Sequence, residues 1–266
     1  MTKESQEWAL ILGASSGFGA ATAVELARSG MNVFGVHLDL HSTLPNAQRV
    51  VAEVESLGRR AVFFNTNAAD AEKRAAVLSS IQETLRSRPD GYVRVFMHSL
   101  AFGTLVPYIA EGPKQRVSQR QMEMTLDVMA NSLVYWVQDL MALGLMRRGS
   151  RVFAMTSSGS TRVIPNYGPV SAAKAALESH VRQLAVELGP SGIAVNSIRA
   201  GITDTPAMRK IAGALALYER SAAQNPSGRA TAVEDVSQAI AALCDERLYW
   251  MTGNVIGVDG GEEITA

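Results

Sequence analysis

A tyrosine and a lysine near residue 170 are the side chains best suited to proton chemistry. Tyr167 and Lys174 are seven residues apart. Two turns of an α-helix take about 7.2 residues, so the two side chains share nearly one face if the stretch is helical. A tyrosine hydroxyl can donate a proton, and a neighbouring ammonium favours the phenolate and lowers the tyrosine pKa from about 10. The pair is therefore a candidate acid catalyst wherever a neighbouring group supplies a hydride.

A glycine-rich loop near the start of the chain could hold that neighbouring group. Residues Gly13 to Gly19 have the spacing G-x-x-x-G-x-G, between a short apolar run and a predicted helix. Glycines allow close backbone approach to a pyrophosphate, and a helix N-terminus offers free N–H groups. A tight turn without a ligand is the alternative, which the position at the first strand–helix junction disfavours. The predicted dinucleotide contacts are Gly13, Ser15, Ser16, Gly17, Phe18 and Gly19.

The end of the second predicted strand bears on the choice of cofactor. An acidic group there binds a free ribose 2′-hydroxyl, whereas a basic group pairs with a 2′-phosphate. The stretch from Val36 to His41 contains Asp39 and no Lys or Arg, which favours NADH over NADPH. A protonated His37 or His41 could still favour a phosphate, and Asp39 could be a solvated loop residue. His37 and Asp39 are the predicted cofactor contacts here.

Alternating apolar runs and helical patterns predict the fold. Strands are expected at 8–12, 32–36, 61–64, 93–97, 151–155, 193–198 and 254–258, with helices at 18–29, 44–57, 70–85, 119–146, 169–188 and 233–243. This alternation is typical of right-handed parallel βαβ units. We expect one α/β domain over residues 1–266, a doubly wound Rossmann-type parallel sheet of about seven strands with helices on both faces. Two long connections, 103–118 and 202–228, interrupt the pattern, and the second is a candidate substrate-binding loop.

Composition excludes several classes of protein. The chain has 25 Lys plus Arg and 25 Asp plus Glu, so no net charge recruits nucleic acid or an anionic membrane. A single cysteine, Cys244, forbids an internal disulfide and fits a reducing cytoplasm. No signal-peptide pattern or apolar run of about 18 residues is present. No spacing of His, Cys, Asp or Glu indicates a metal site. The sequence predicts a soluble cytoplasmic protein.

With the glycine loop, Asn131, Ser157, Tyr167 and Lys174 in view, the chain resembles the short-chain dehydrogenase/reductase family over almost its full length. Typical members have Tyr-x-x-x-Lys with a serine thirteen residues before the tyrosine. Here Ser157 and Lys174 keep those places, Val170 stands at the usual tyrosine position, and Tyr167 lies three residues earlier. The spacing Tyr-x₆-Lys resembles the enoyl-acyl-carrier-protein reductase branch, which makes the last reduction in each round of fatty-acid elongation.

Other motifs divide between that branch and the wider family. His98 to Ala101, after the fourth strand, and Ala200-Gly201 resemble the enoyl reductases, whereas the glycine loop, Asn131 and Ser157 resemble ordinary members. The resemblance implies a homotetramer, built partly from long helices, and the catalytic residues Tyr167, Lys174, Ser157 and Asn131. It implies cofactor contacts at Asn67, Ala68, His98, Ser99, Leu100, Lys174, Ala200, Gly201, Thr203 and Thr205. A turn-forming role for Ser157 and a helix kink at Asn131 remain open alternatives.

The shifted tyrosine fits a particular substrate atom. A ketoreductase needs its acid about one bond from the carbon that receives hydride. An enoyl reductase delivers hydride to Cβ, and negative charge develops on the thioester oxygen three bonds away. Three residues of helix give a displacement on the order of 5 Å. Tyr167 is therefore expected to hydrogen-bond the thioester oxygen, with Lys174 holding the nicotinamide ribose.

An acyl substrate also needs an apolar slot and a carrier. The candidate lining residues are Phe102, Tyr108, Met155, Tyr167, Met208, Ile211, Leu215 and Tyr218. The expected substrate is an enoyl thioester on acyl carrier protein or coenzyme A, and Lys114, Arg116, Arg120 and Arg209 could form a basic rim for an acidic carrier. Two alternatives remain: a carbonyl, 3-oxoacyl or alcohol oxidoreductase, and a non-catalytic dinucleotide-binding sensor or scaffold.

Overall fold

Parallel strands form the centre of the molecule. The structure is a computed structural model that describes residues 6–87, 90–112 and 115–265. Within these residues the strands are β1 (Glu7–Leu12), β2 (Asn32–His37), β3 (Ala61–Asn65), β4 (Tyr92–His98), β5 (Arg151–Thr156), β6 (Ala194–Ala200) and β7 (Val255–Val258). They form one sheet in the order β3-β2-β1-β4-β5-β6-β7, and every neighbouring pair is parallel. The predicted doubly wound sheet is confirmed.

Helices cover both faces of the sheet. They are α1 (Gly17–Arg28), α2 (Leu44–Ser56), α3 (Ala71–Arg86), α4 (Gln119–Leu126), α5 (Ser132–Ala142), α6 (Gly168–Leu188), α7 (Ala214–Gln224) and α8 (Val233–Leu243). Residues of α3, α5 and α6 share one hydrophobic cluster with the sheet, and residues of α1, α2 and α8 share another. Because both faces are buried, the central strands are continuous apolar runs rather than alternating patterns.

The expected long helix over 119–146 is interrupted. A π-helical turn at Asp127–Asn131 separates α4 from α5, and α5 ends at Ala142. The hydroxyl of Ser132 donates to the carbonyl of Val128 at 2.9 Å, which closes the widened turn. A π-turn inserts one residue into a helix, and apolar spacing does not reveal so small a shift.

The stretch 202–228 is more regular than its sequence indicates. It contains a single 3₁₀ turn at Met208–Lys210 and the helix α7, which follows Gly213 at a φ of +75°. Of the α7 residues only Ser221 is fully buried. The long connection expected here is therefore helical over 214–224, a helix that the sequence prediction did not include.

The sheet topology fixes where a ligand can bind. The strand order reverses between β1 and β4, and ligands of open parallel sheets bind at the carboxyl ends of the strands beside such a reversal. The N–H of Ser99, after β4, donates to the carbonyl of Leu12 at 3.0 Å. This bond brings the end of β4 against the glycine loop. No helix among the described residues is long and apolar enough to cross a lipid bilayer.

Candidate active site

The glycine loop is shaped by backbone contacts that leave no room for side chains. The N–H groups of Gly13 and Ala14 both donate to the carbonyl of Val36, at 2.8 and 3.1 Å. Gly13 has a φ of +85°, and a Cβ on it would lie 2.4 Å from the carbonyl oxygen of Ser99. A Cβ on Gly19 would lie 2.1 Å from the carbonyl oxygen of Gly13. The loop therefore requires glycine at both ends.

The N-terminus of α1 is uncapped. Ser16, its N-cap residue, has an extended backbone and makes no side-chain capping bond, and the first turn carries no acidic residue. The first N–H groups of the helix therefore remain available to an anion, and the helix dipole favours a negative charge there. The loop and the helix terminus together fit the pyrophosphate of a dinucleotide.

Asp39 is held beside this loop by several hydrogen bonds. Nδ1 of His37 lies 2.8 Å from Oδ2 of Asp39, and their side chains are 4% and 10% exposed. Asn65 accepts from the Asp39 N–H at 2.9 Å and donates to its carbonyl at 3.0 Å. Burial opposes ionisation, but hydrogen bonds from Thr43, Ser15 and His37 lower the pKa of Asp39 below its ordinary value.

These contacts bear on two of the alternatives for this stretch, while His41 is exposed and stays a candidate phosphate contact. The reading of Asp39 as a solvated loop residue was wrong, because its carboxylate is largely buried and bonded to Ser15 of the glycine loop. His37 is also buried, and its Nδ1 is engaged by Asp39 rather than free for a phosphate. An acid in this position fits a ribose 2′-hydroxyl.

The cofactor contacts predicted after β3 flank the same edge. Asn67 is exposed after β3, whereas Ala68 is buried and its carbonyl accepts from Nε1 of Trp136 at 2.8 Å. Phe18 packs against the cluster on the α1 face, and Leu100 packs against the cluster on the α6 face. Backbone of the stretch after β3 is thus anchored to α5 through Trp136, a contact the sequence did not indicate.

The turn after β6 reaches the glycine loop. Thr203 and Thr205 are buried, and the hydroxyl of Thr203 donates to the carbonyl of Gly201 at 3.0 Å. A Cβ on Gly17 would lie 3.4 Å from Cγ2 of Thr205, so the two segments are neighbours. Ala200 ends β6 and is half-buried. The cofactor contacts predicted after β6 therefore lie beside the loop predicted to bind the pyrophosphate.

Tyr167 is the N-cap residue of α6. A Cβ on Gly159 would lie 2.7 Å from its ring, so the ring packs on the turn that follows β5. Ser157 accepts from the N–H of Gly159 at 3.1 Å and hydrogen-bonds the Tyr167 hydroxyl. Burial raises the pKa of Tyr167, and the Ser157 bond opposes this rise. The expectation that Lys174 lowers this pKa was wrong, because desolvation of the phenol outweighs any such effect.

Lys174 is buried at the carboxyl end of β5. Its side chain donates to the carbonyl of Met155 at 2.6 Å. Burial lowers the pKa of Lys174 to about 8, and the nearby carboxylate of Glu178 opposes that shift. Glu178 in turn accepts from the hydroxyl of Thr156 at 2.6 Å. The sequence offered a signal for Glu178, a carboxylate four residues after Lys174 on the same face of an apolar helix.

His98 is buried where β4 ends. Its Nε2 lies 2.8 Å from the hydroxyl of Ser132, at the start of α5. Burial and the positive charge of Lys174 lower the pKa of His98 to about 3, so the imidazole is neutral at physiological pH. A buried neutral imidazole fits a wall residue beside the predicted cofactor site better than a base. Within the described ranges no group of three or more His, Cys, Asp or Glu side chains could hold a metal ion.

Asn131 is the last residue of the π-helical turn. Its Oδ1 lies 3.2 Å from Nε2 of His180 on α6. His180 is six residues beyond Lys174, or about 9 Å along the helix axis. The structure thus directs this amide toward the middle of α6. The predicted kink is present as the π-turn, and His180 is a partner that the sequence did not identify.

The predicted acyl contacts divide into three groups. Phe102 is 58% exposed, and Tyr108 covers Gly168 so closely that a Cβ there would lie 2.7 Å from its ring. The residues that follow β6 are half-buried, namely Met208, Ile211 and Tyr218, whereas Leu215 is exposed. Met155 was assigned wrongly, because its side chain is buried in the core cluster on the α1 face.

The basic residues predicted to form a rim for an acidic carrier differ in exposure and in their partners. Arg116 and Arg120 are exposed. Arg209 makes two bonds to the carboxylate of Asp204, at 2.6 and 2.7 Å. Lys114 lies outside the described residues. Arg116 and Arg120 are therefore the better candidates for contact with an acidic carrier.

Val170 occupies the usual family position of the tyrosine, and this position is closed. Its side chain is 3% exposed and packs with Met129 and Ala173. A Cβ on Gly103 would lie 2.6 Å from Cγ2 of Val170. Tyr167 packs at the edge of this cluster. The usual position of the family's tyrosine is thus filled by an apolar side chain in an apolar cluster. The phenol of Tyr167 lies three residues earlier, at the start of α6.

Comparison with known proteins identifies the family. A family model described as enoyl-(acyl carrier protein) reductase matches residues 13–263. The 1-cyclohexenylcarbonyl-CoA reductase of Streptomyces collinus is 30% identical over 267 residues, which cover 100% of this chain and 90% of that protein. The enoyl-[acyl-carrier-protein] reductase [NADH] of Aquifex aeolicus is 31% identical over 174 residues, 65% of this chain and 63% of that protein.

A solved structure represents the wider family. LugOII, described as a promiscuous reductase that catalyses keto-reduction, has a TM-score of 0.82 and 25% identity, and the match covers 99% of this chain and 100% of that one. The chain therefore belongs to the short-chain dehydrogenase/reductase family, as an NAD(P)H-dependent oxidoreductase that resembles its enoyl-acyl-carrier-protein reductase branch.

Proposed function

We propose that the protein is an enoyl thioester reductase that uses NADH to reduce the trans-2 double bond of an acyl chain on acyl carrier protein or coenzyme A, in fatty-acid synthesis. The observation that carries the proposal is the position of Tyr167 together with the burial of Val170. Tyr167 stands at the N-cap of α6, three residues before a usual tyrosine position that is closed by an apolar cluster. The available phenol thus precedes the usual position by three residues, on the order of 5 Å along a helix, and this supports a contact with the more distant thioester oxygen.

A reduced nicotinamide, when bound, supplies the hydride. The glycine loop would hold its pyrophosphate, Asp39 its adenosine ribose and Lys174 its nicotinamide ribose. Tyr167 donates a hydrogen bond to the thioester oxygen, where negative charge develops as hydride adds to Cβ. Burial raises the pKa of Tyr167, which keeps this hydroxyl protonated and able to donate at neutral pH. The hydrogen bond from Ser157 would orient this hydroxyl.

The Asp39 contacts support NADH rather than NADPH. A carboxylate with a lowered pKa, bonded to Ser15, accepts a hydrogen bond from a 2′-hydroxyl and repels a 2′-phosphate. Nδ1 of His37 is bonded to the same carboxylate and is therefore not available to a 2′-phosphate. The relative from Aquifex aeolicus, whose name specifies NADH, supports the same choice.

Carbonyl reduction is the second candidate, and the Ser157–Tyr167 hydrogen bond favours it. A serine and a tyrosine whose hydroxyls meet can polarise one carbonyl oxygen together, which a ketoreductase needs. The fold relationship with LugOII points the same way. The two candidates differ in which substrate atom the phenol contacts.

Assembly and organisation remain part of the proposal. We infer one dinucleotide-binding domain over 1–266 with 202–228 as its substrate loop, in a cytoplasmic homotetramer. The homotetramer is what the resemblance to the short-chain dehydrogenase/reductase family implies. Light scattering at micromolar concentration would give four chains, and a monomer would contradict this part.

Cofactor oxidation with matched substrates tests the function. Initial rates are measured with crotonyl and acetoacetyl thioesters, each with NADH and NADPH. The proposal predicts crotonyl reduction with NADH at least about 10-fold faster than any other combination, a difference near 1.4 kcal/mol in barrier. Faster acetoacetyl reduction would establish the carbonyl reductase instead. Tight NADH binding without turnover of either thioester would favour the non-catalytic sensor.

A further inference from the structure

Glu262, in the turn after β7, joins two segments of the site. Its Oε2 accepts from the N–H of Ile202 at 2.9 Å and from the hydroxyl of Ser221 at 2.6 Å. Ile202 directly precedes Thr203 and lies in the turn that reaches the glycine loop. Ser221 is the buried residue of α7. One carboxylate oxygen therefore connects the cofactor side of the site with the helix proposed to cover the acyl chain.

The turn that carries Glu262 is fixed in place. Gly260 and Gly261 have φ values of +63° and +91°, conformations that favour glycine. The carboxylate of Asp259 accepts from the N–H groups of Gly261 and Glu263, at 3.0 and 3.3 Å. The carboxylate of Glu262 is thus presented by a bonded turn rather than by a freely moving segment.

The main chain opposite is shaped to receive this carboxylate. A Cβ on Gly201 would lie 2.7 Å from Oε2 of Glu262. A larger residue there would displace the carboxylate or the turn. Thr231 Oγ1 would lie closer still, at 2.3 Å, so Gly201 leaves the space in which the carboxylate lies against the turn predicted to contact the cofactor.

The same turn also holds the end of α7. Asn225 is buried and donates from Nδ2 to the carbonyl of Asp259 at 2.7 Å. The hydroxyl of Ser227 donates to the carbonyl of Gly260 at 3.2 Å. Since α7 buries so little apolar surface of its own, these polar contacts are a large part of what positions it. Tyr218, a predicted acyl contact, lies one turn before Ser221 on that helix.

We propose that Glu262 is a positioning residue for the acyl substrate. It sets the place of α7 relative to the cofactor turn, so its loss weakens binding of the acyl chain more than binding of the dinucleotide. A hydrogen bond to a charged group contributes enough for an effect of about 10-fold. The inference rests on the proposed function, because it assigns α7 to the acyl chain.

Kinetics of matched variants test the inference in the full-length protein. Glu262→Ala is expected to raise KM for a long-chain enoyl thioester about 10-fold, with kcat and the Kd of NADH within about 2-fold of wild type. Ser221→Ala should act in the same direction, and adding it to Glu262→Ala should change nothing more. Glu263→Gln, which removes the neighbouring charge, should match wild type. An unchanged KM, or equal losses for thioester and NADH, would overturn the proposal.

Amide hydrogen exchange gives an independent readout that needs no thioester. In Glu262→Ala, exchange of the α7 amides should be about 10-fold faster, whereas exchange in α6 and the central strands should be unchanged. Glu262→Gln, which keeps the side-chain shape, should give a smaller change and serves if the alanine variant does not fold. Unchanged α7 exchange, or faster exchange everywhere, would overturn the inference. Failure of the wild type to reduce any enoyl thioester would refute the proposed function and the assignment of α7 to an acyl chain, whereas the exchange result would still show whether Glu262 holds α7 in place.

Discussion

The cofactor side and the substrate side of the site are built in different ways. On the cofactor side, backbone groups approach so closely that Gly13 and Gly19 have no room for a side chain. On the substrate side, large apolar side chains are exposed to solvent: Phe102 is 58% and Leu215 is 71% exposed. A dinucleotide has one shape, whereas acyl chains vary in length. We therefore expect substitutions in the glycine loop to lower both the free energy of unfolding and the affinity for NADH. Substitutions on the substrate side should alter the affinity for the thioester and leave the free energy of unfolding nearly unchanged.

The largest effect should come from adding one methyl group to the glycine loop. Gly19→Ala would place Cβ 2.1 Å from the carbonyl of Gly13, so the loop must shift. We expect a loss of about 3 kcal/mol in the free energy of unfolding and a fall in NADH affinity of about 100-fold. Gly189→Ala is the matched control, because its Cβ would meet nothing within 4 Å and its φ is −53°. Urea unfolding and NADH titration measure both. If Gly19→Ala had the stability and the NADH affinity of the wild type, the glycine loop would have room for a side chain after all.

A smaller effect is expected from Asp39. Asp39→Asn keeps the shape but removes the charge that repels a 2′-phosphate, so the preference for NADH over NADPH should fall about 10-fold. The ratio of kcat/KM for the two cofactors measures it. Asp245→Asn, at an exposed carboxylate on another part of the surface, is the control. An unchanged ratio would mean that Asp39 does not contact the ribose.

The pH dependence should reveal the Lys174 environment. The pKa of Lys174 is lowered to about 8, so the ammonium is present below that pH and is lost as the pH rises through it. If the Lys174 ammonium holds the nicotinamide ribose, kcat/KM should fall by up to 10-fold for each pH unit above this pKa. This fall is the alkaline limb of the pH profile. Glu178 opposes the lowering of this pKa, so Glu178→Gln should move the limb to lower pH and cost about 3-fold at pH 8.5.

The control for this experiment is Glu187→Gln, at an exposed position of the same helix. Its pH profile should match the wild type. A Glu178→Gln limb that stays in place, or moves to higher pH, would show that Glu178 does not act on Lys174.

The smallest effect on stability should come from the substrate side. Phe102→Ser removes an exposed ring, so the free energy of unfolding should change by less than about 0.5 kcal/mol, while KM for a long enoyl thioester rises. Val170→Ala, in the closed cluster beside it, should cost about 2 kcal/mol. Urea unfolding compares the two. Equal losses of stability would erase the distinction between the open and closed parts of the site.

Much of the fold followed from local patterns. The seven strands of the described residues begin and end within about two residues of their predicted bounds, because buried parallel strands are apolar runs closed by glycine or polar residues. The place of Tyr167 before the first turn of α6 also followed, from Gly168-Pro169. The position of the glycine loop at the end of β1 followed from the same rules.

The remaining features depend on contacts between segments distant in sequence. The π-turn at 127–131 and the bond from Asn131 to His180 join α5 and α6. The charge of Glu178 beside Lys174 was visible as a spacing, but its bond to Thr156 was not. Burial reversed the expected direction of the Tyr167 pKa, because desolvation depends on the complete packing around the ring.

The rate of crotonyl-thioester-dependent NADH oxidation by Tyr167→Phe tests the central claim most directly. The substitution removes one hydroxyl and keeps the ring that packs on Gly159. Loss of a donor to the developing oxyanion is predicted to lower kcat about 100-fold or more, with the Kd of NADH unchanged. Near-normal turnover of the enoyl thioester by this variant would contradict the account.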